Sequence, residues 1–163
     1  MKFEKSYIIR KYNSNDKKFI YNLHMEVYHT EYNYDNSFNQ FIESTIDGFI
    51  QRNIVGETIL ICEVDQKPIG SISIKKVTDE ISQIGLFILD PVFRGQGYAQ
   101  KMLEAAIDFS KENNYKSIQL ITNSDLITAR KIYKKFGFLI KASNKVKLSN
   151  IEMTEELWEL IIE

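Results

Sequence analysis

Residues 84–103 read IGLFILDPVFRGQGYAQKML, and little can be built from them except a strand that stops abruptly and a helix that starts straight after it. The run IGLFIL is dense in β-branched and aromatic residues, as strands are. Pro91 ends regular pairing, because proline has no N–H to give to a sheet ladder. Gly95 and Gly97 supply bare, permissive backbone, and Ala99, Met102, Leu103, Ala106, Ile107 and Ser110 then recur at helical spacing. A helix start leaves N–H groups unpaired under the positive end of the helix dipole, so a phosphate placed there is stabilised twice over. Arg94 adds a cation whose donors match phosphate. Two familiar phosphate loops do not fit: there is no G-x-x-x-x-G-K-[ST], and Gln100 stands where G-x-G-x-x-G needs its third glycine. A purely structural turn and a site for a different phosphate ligand remain open at this point.

The flanking sequence changes period several times. KSYIIRKY (5–12) reads as a first strand, and NSND follows with cap-forming residues. Helical spacing predicts helices over about 15–30 and about 36–52, separated by EYNYDNS. ETILICEV, PIGSISIKKV and ISQIGLFIL then form an antiparallel meander joined by short polar turns. Within it Ile72 and Ile74 alternate with Ser71, Ser73 and Lys75, which predicts a strand with one covered face. After the third helix come a strand (116–122), a helix (126–137) closed by Gly137, and the strand FLIKASNKVKL. Trp158, Leu160 and Ile162 alternate in TEELWELIIE, predicting a terminal strand, although a short helix also suits that stretch. No repeat or Pro/Gly/Ser-rich linker divides residues 1–163, so a single domain is expected.

With 21 basic and 22 acidic residues the chain carries a formal charge of -1, which gives no general field for nucleic acid or an anionic membrane. An anion site must therefore be local. The lone Cys62 lies in an apolar run and reads as a buried thiol in a reducing compartment. The N-terminus has no sustained apolar stretch, so a cytoplasmic protein is expected. His24 and His29 are five residues apart, off the i, i+4 geometry of a helical metal pair, and no metal is expected.

Arg94-Gly95-Gln96-Gly97-Tyr98-Ala99 matches the pattern [QR]-x-x-G-x-[GA], led by Leu89-Asp90-Pro91-Val92-Phe93-Arg94. Ala129-Arg130-Lys131-Ile132-Tyr133-Lys134-Lys135-Phe136-Gly137-Phe138 matches A-x-x-[IL]-Y-x-k-x-G-F. With both patterns in this order of elements, the sequence resembles the GNAT superfamily of acyl-CoA-dependent N-acyltransferases. The stretches LHMEVYHTEYNYDNSFNQFIESTIDGFI, TNSDLITARKIYKKFGF and TEELWEL further resemble the acetyltransferase domain fused to MarR-type regulators, here expected in free-standing form. The resemblance implies an α/β GNAT fold over residues 1–163: a mixed, mostly antiparallel sheet of about seven strands flanked by about four helices.

It also implies a chemistry. Acetyl-CoA would be the co-substrate and a primary amine the acceptor, with transfer direct and without metal; nucleic acid and membrane are not expected partners, and a homodimer is compatible with the family. The coenzyme diphosphate would lie on Arg94, Gly95, Gln96, Gly97, Tyr98, Ala99 and Gln100, and the pantetheine arm along the strand edge at Phe87, Ile88 and Leu89 by strand addition. Asn123 and Ala129 would line the same site. Spacing alone makes Tyr133 a core residue in the stripe Leu126, Ala129, Ile132, Tyr133, Phe136; the family motif makes it the acid that protonates the departing thiolate. Relatives with a glutamate base on the fourth strand have Gln83 as their counterpart here, which leaves Glu80 and Glu31 as carboxylates to consider. Tyr28 and Glu31, with Tyr32, Tyr34 and Asp35, would wall the acceptor pocket and suit a cationic amine. The alternative is a non-catalytic acyl-CoA sensor or partner module on the same fold.

Overall fold

The computed structural model describes residues 6–148 and 150–163. Four strands come first in the sheet, each antiparallel to the next: β1 (Tyr7–Lys11), β2 (Thr58–Val64), β3 (Lys67–Lys76) and β4 (Ile81–Leu89). β5 (Ser117–Asn123) then runs parallel to β4, and β7 (Ile151–Ile161) lies between β5 and the edge strand β6 (Leu139–Leu148). The helices are α1 (Lys17–Tyr32), α2 (Ser37–Arg52), α3 (Tyr98–Glu112) and α4 (Ile127–Lys135). This is the GNAT fold expected from the sequence, and TEELWELI forms a strand rather than a helix.

Local chemistry explains the boundaries. Asp65 and Gln66 both take positive φ, 51° and 65°, the pair of left-handed residues that lets a two-residue turn follow strand twist. Asn33 (φ 56°) and Asn53 (φ 44°) close α1 and α2 in left-handed caps, which is why EYNYDNS separates two helices. The parallel β4–β5 pair requires a long crossover, and α3 supplies it.

Helices cover the sheet on both faces. Met102, Leu103 and Ala106 of α3 pack with Ile72, Ile74 and Ile84, while Ile20, Ile46 and Phe49 of α1 and α2 pack with Ile59, Ile61 and Leu86. The expectation of one covered face for β3 is therefore wrong. Ser71 and Ser73 are as buried as the Ile72 and Ile74 they alternate with, because β3 is central, and the Ser71 hydroxyl donates to the Leu86 carbonyl at 2.6 Å. Small hydroxyl residues read as solvent-facing in sequence, yet they can lie under a helix once their one donor is satisfied.

His24 is buried in α1, with Nδ1 donating to the Ile20 carbonyl at 2.7 Å and its ring stacked on Tyr28. Burial pushes its pKa down to about 4, against the weaker opposing effect of that carbonyl. The unfolded chain takes up this proton near pH 6.5 and the folded chain does not, so stability is full above that pH and falls as pH drops toward about 4. Between about pH 6.5 and 5.5 the loss is about 1 kcal/mol. Urea unfolding at both pH values should show a smaller loss in His24→Gln than in the parent, whereas equal losses would assign the effect to other groups.

Candidate active site

β4 and β5 part company halfway along. Their pairing runs only from Ile81–Ile84 against Ser117–Leu120, while β4 stays paired to β3 as far as Leu89 and β5 stays paired to β7 as far as Asn123. The second half of β4 thus has a free edge facing a wedge in the sheet. A bulge sets this half apart: the β3–β4 register slips by one residue between Ser71 and Ser73, and Leu86 takes φ 43°. An extra residue on one strand reverses the alternation beyond it. Ile84 consequently packs on the α3 side, whereas Leu86 and Ile88 pack toward α1 and α2, which leaves Phe87 and Leu89 on the α3–α4 side.

At the mouth of the wedge, Asp90 accepts from the Val92 N–H at 3.1 Å and starts a single 3-10 turn, Pro91–Phe93. Gly95 (φ 75°) and Gly97 (φ 88°) then carry the chain into α3 in left-handed conformations that other residues adopt only at a cost. A Cβ built on either glycine would meet nothing within 4 Å. No side chain caps the start of α3, so none of its first amides is taken by a capping group. A diphosphate fits this cradle in charge and in room. Tyr98 is buried against Phe93 and Tyr7, and Gln100 accepts from Lys135 of α4 at 2.9 Å. The Arg94 guanidinium is engaged by Glu31 of α1 through a two-pronged pair at 2.8 and 2.9 Å, which raises its already high pKa further.

Tyr133 lies where the strands diverge. Its ring centroid is 6.4 Å from Phe87 on the free half of β4 and 6.0 Å from both Phe138 and Trp158. Trp158 pairs with Leu120, the last β5 residue still joined to β4. The phenol therefore bridges the split between the sheet halves. Burial raises its pKa well above the ordinary tyrosine value, with the Tyr28 hydroxyl as a second cause, so it carries its proton throughout the physiological range. Ala129 packs half-buried one turn earlier on α4.

Glu80 is not brought to the site. It sits at the opposite end of β4 in an exposed pair with Lys116 at 2.9 Å. Gln83 lies on β4 before the strands part. Tyr28, Tyr32, Tyr34 and Phe38 form a continuous ring cluster, with centroids 5.3 Å apart for Tyr28–Tyr32 and Tyr28–Tyr34 and 4.6 Å for Tyr28–Phe38. His29 holds the α1–α2 link by bonding the Tyr34 carbonyl and, at 2.7 Å, the Asn39 side chain. Asn123 hydrogen-bonds Tyr34 and accepts from the Asp125 N–H at 3.0 Å, so it ties this wall to the end of β5. Asp125 and Glu155 are close enough to help raise the Tyr34 pKa, after burial and the Tyr32 hydroxyl.

One cluster escaped the sequence reading. Glu156 is buried beneath Arg130 of α4, and it was detectable only as a carboxylate two residues before Trp158 on an alternating strand. Among the described residues no group of three metal-binding side chains is assembled, and no helix is long and apolar enough to cross a membrane.

Known proteins place this geometry. In sequence, 84 residues are 29% identical to an uncharacterized N-acetyltransferase of Methanocaldococcus jannaschii, covering 48% of this chain and 37% of that one. In structure, the chain is similar to yncA of Salmonella typhimurium, solved with its cofactor acetyl-CoA, at TM-score 0.81 and 15% identity over 96% of this chain and 94% of the other. It is also similar to Ard1 of Thermoplasma volcanium, at TM-score 0.77 and 23% identity over 96% and 98% of the two chains. Likeness at such identities speaks for the fold alone. The model of the acetyltransferase (GNAT) family, however, matches residues 18–138, which span the α1–α2 wall, the glycine loop and the Tyr133 helix, and the chain belongs to that family.

Proposed function

We propose that the protein transfers an acetyl group from acetyl-CoA directly to a primary amine. The observation that carries this reading is the wedge between β4 and β5, with an uncapped, glycine-lined helix start at its mouth and a protonated phenol at its root. The amides of residues 95–100 would hold the diphosphate. The free edge of β4 at Phe87 and Leu89 offers the pairing groups that the two amides of pantetheine need, whereas Ile88 between them turns its backbone to Ser71 of β3 and its side chain to Leu23 and Val27, so it only spaces the two.

In the transfer, the amine lone pair forms the C–N bond and the thioester C–S bond breaks. Tyr133 passes its proton to the sulfur, and the proton shed by nitrogen restores the phenol through solvent. Phenol and thiol differ by only about 1.5 pKa units in water, and burial raises both. A preorganised N–H on the β4 edge aimed at the carbonyl oxygen would add about 3 kcal/mol. The aromatic wall of Tyr28, Tyr32 and Tyr34, with Asp125 and Glu155 nearby, supports a cationic acceptor. Glu31 is occupied by Arg94, so it is a brace between wall and loop rather than a free base.

One observation favours a second reading, a coenzyme sensor: Gln83 is no base, and no free carboxylate replaces it on β4. Incubation with acetyl-CoA and a panel of primary amines, reading free thiol and product mass, separates the two. Amine-dependent thiol release with a matching acetylated product is expected; tight coenzyme binding without release from any amine would favour the sensor.

A further inference from the structure

Arg130 lies one helical turn before Tyr133 on α4, so the two side chains share a face. Its guanidinium grips the buried Glu156 of β7 with a fork, Nε to Oε1 at 2.8 Å and Nη2 to Oε2 at 3.1 Å. The same Oε1 accepts the Trp158 indole N–H at 3.2 Å, and the guanidinium carbon lies 5.9 Å from the centre of the indole ring. That ring is in turn one of the walls against Tyr133. A single carboxylate therefore fixes both the rotation of the helix that carries the phenol and the surface on which the phenol rests. α4 is only nine residues long, so it has few other turns with which to resist rotation.

We propose that Arg130 and Glu156, acting through Trp158, are positioning residues that aim the Tyr133 hydroxyl at the sulfur of the bound coenzyme. This deepens the reading above and rests on Tyr133 being the acid. The planar fork supplies direction that a point charge cannot, and small misplacements of a catalytic group are expensive.

Removing one partner alone leaves a buried charge and risks misfolding. The test therefore uses Arg130→Lys and, separately, the apolar pair Arg130→Met/Glu156→Leu, which takes both charges away together. Far-UV circular dichroism checks that the fold is intact, because both substitutions touch Trp158 and shift its emission by themselves. Both proteins should melt within a few degrees of the parent and keep KM for acetyl-CoA within about twofold, yet lose about tenfold in kcat. In a Tyr133→Phe background the same changes should cost nothing further, because the group they aim is gone. Parental kcat in the apolar pair, or losses that multiply in the Tyr133→Phe background, would overturn the positioning role and leave Tyr133 as the acid. An unchanged kcat in Tyr133→Phe itself would overturn both.

Discussion

Tyr133→Phe is expected to lower kcat by about a hundredfold to a thousandfold while KM for acetyl-CoA stays within about twofold. The substitution removes one oxygen and nothing else. Contacts of the ring with Phe87, Phe138 and Trp158 remain, so the helix should stay seated and the melting temperature should move little. Diphosphate and pantetheine are held elsewhere in this account, on α3 and β4, and ground-state binding has no reason to change. What the proposed role would lose is proton delivery to a departing sulfur in a place with little water, since Tyr133 is 7% exposed. Residual turnover would come from orientation and from polarisation of the carbonyl by backbone donors. Steady-state kinetics with the best amine of the panel gives the answer, and a kcat within about twofold of the parent would remove Tyr133 from the chemistry.

Much of this architecture was legible because the sequence changes period wherever the fold changes element. The run from Ile84 to Leu103 announced strand, stop, bare backbone and helix, and the structure has them in that order. Contacts that join distant segments left no such trace. The Leu86 bulge decides which side chains of β4 face the wedge, yet a leucine at φ 43° has no local signature, since glycine is the residue that normally marks such positions. Arg94 and Glu31 are 63 residues apart and each reads as an ordinary surface charge. From sequence Arg94 is available to phosphate and Glu31 to the acceptor, whereas in the fold each is engaged by the other. Glu156 could be assigned to the buried face of β7 by alternation, but its partner on α4 could not be read. The tyrosines of the α1–α2 link were recognisable as a wall; that they pack on one another and are tied to β5 through Asn123 depends on a left-handed turn at Asn33.

The glycine loop is the second place where a small change should have a large effect. Gly95→Ala with Gly97→Ala is expected to weaken acetyl-CoA binding by about a hundredfold. Each alanine would hold a left-handed conformation at a cost of about 1–2 kcal/mol. The loop is exposed and a Cβ at either position would meet nothing within 4 Å, so the free variant relaxes to other angles without unfolding. The cost then reappears on binding, when the amides must realign, and the two methyl groups would also stand in the space given to the diphosphate. Two such penalties together approach a factor of a hundred in affinity. Titration calorimetry of acetyl-CoA into the parent and the double variant, with matched melting temperatures, measures this directly. Saturable binding to the parent and a dissociation constant about a hundredfold higher in the variant are expected; equal affinities, or no binding to the parent, would contradict a coenzyme site at this helix start.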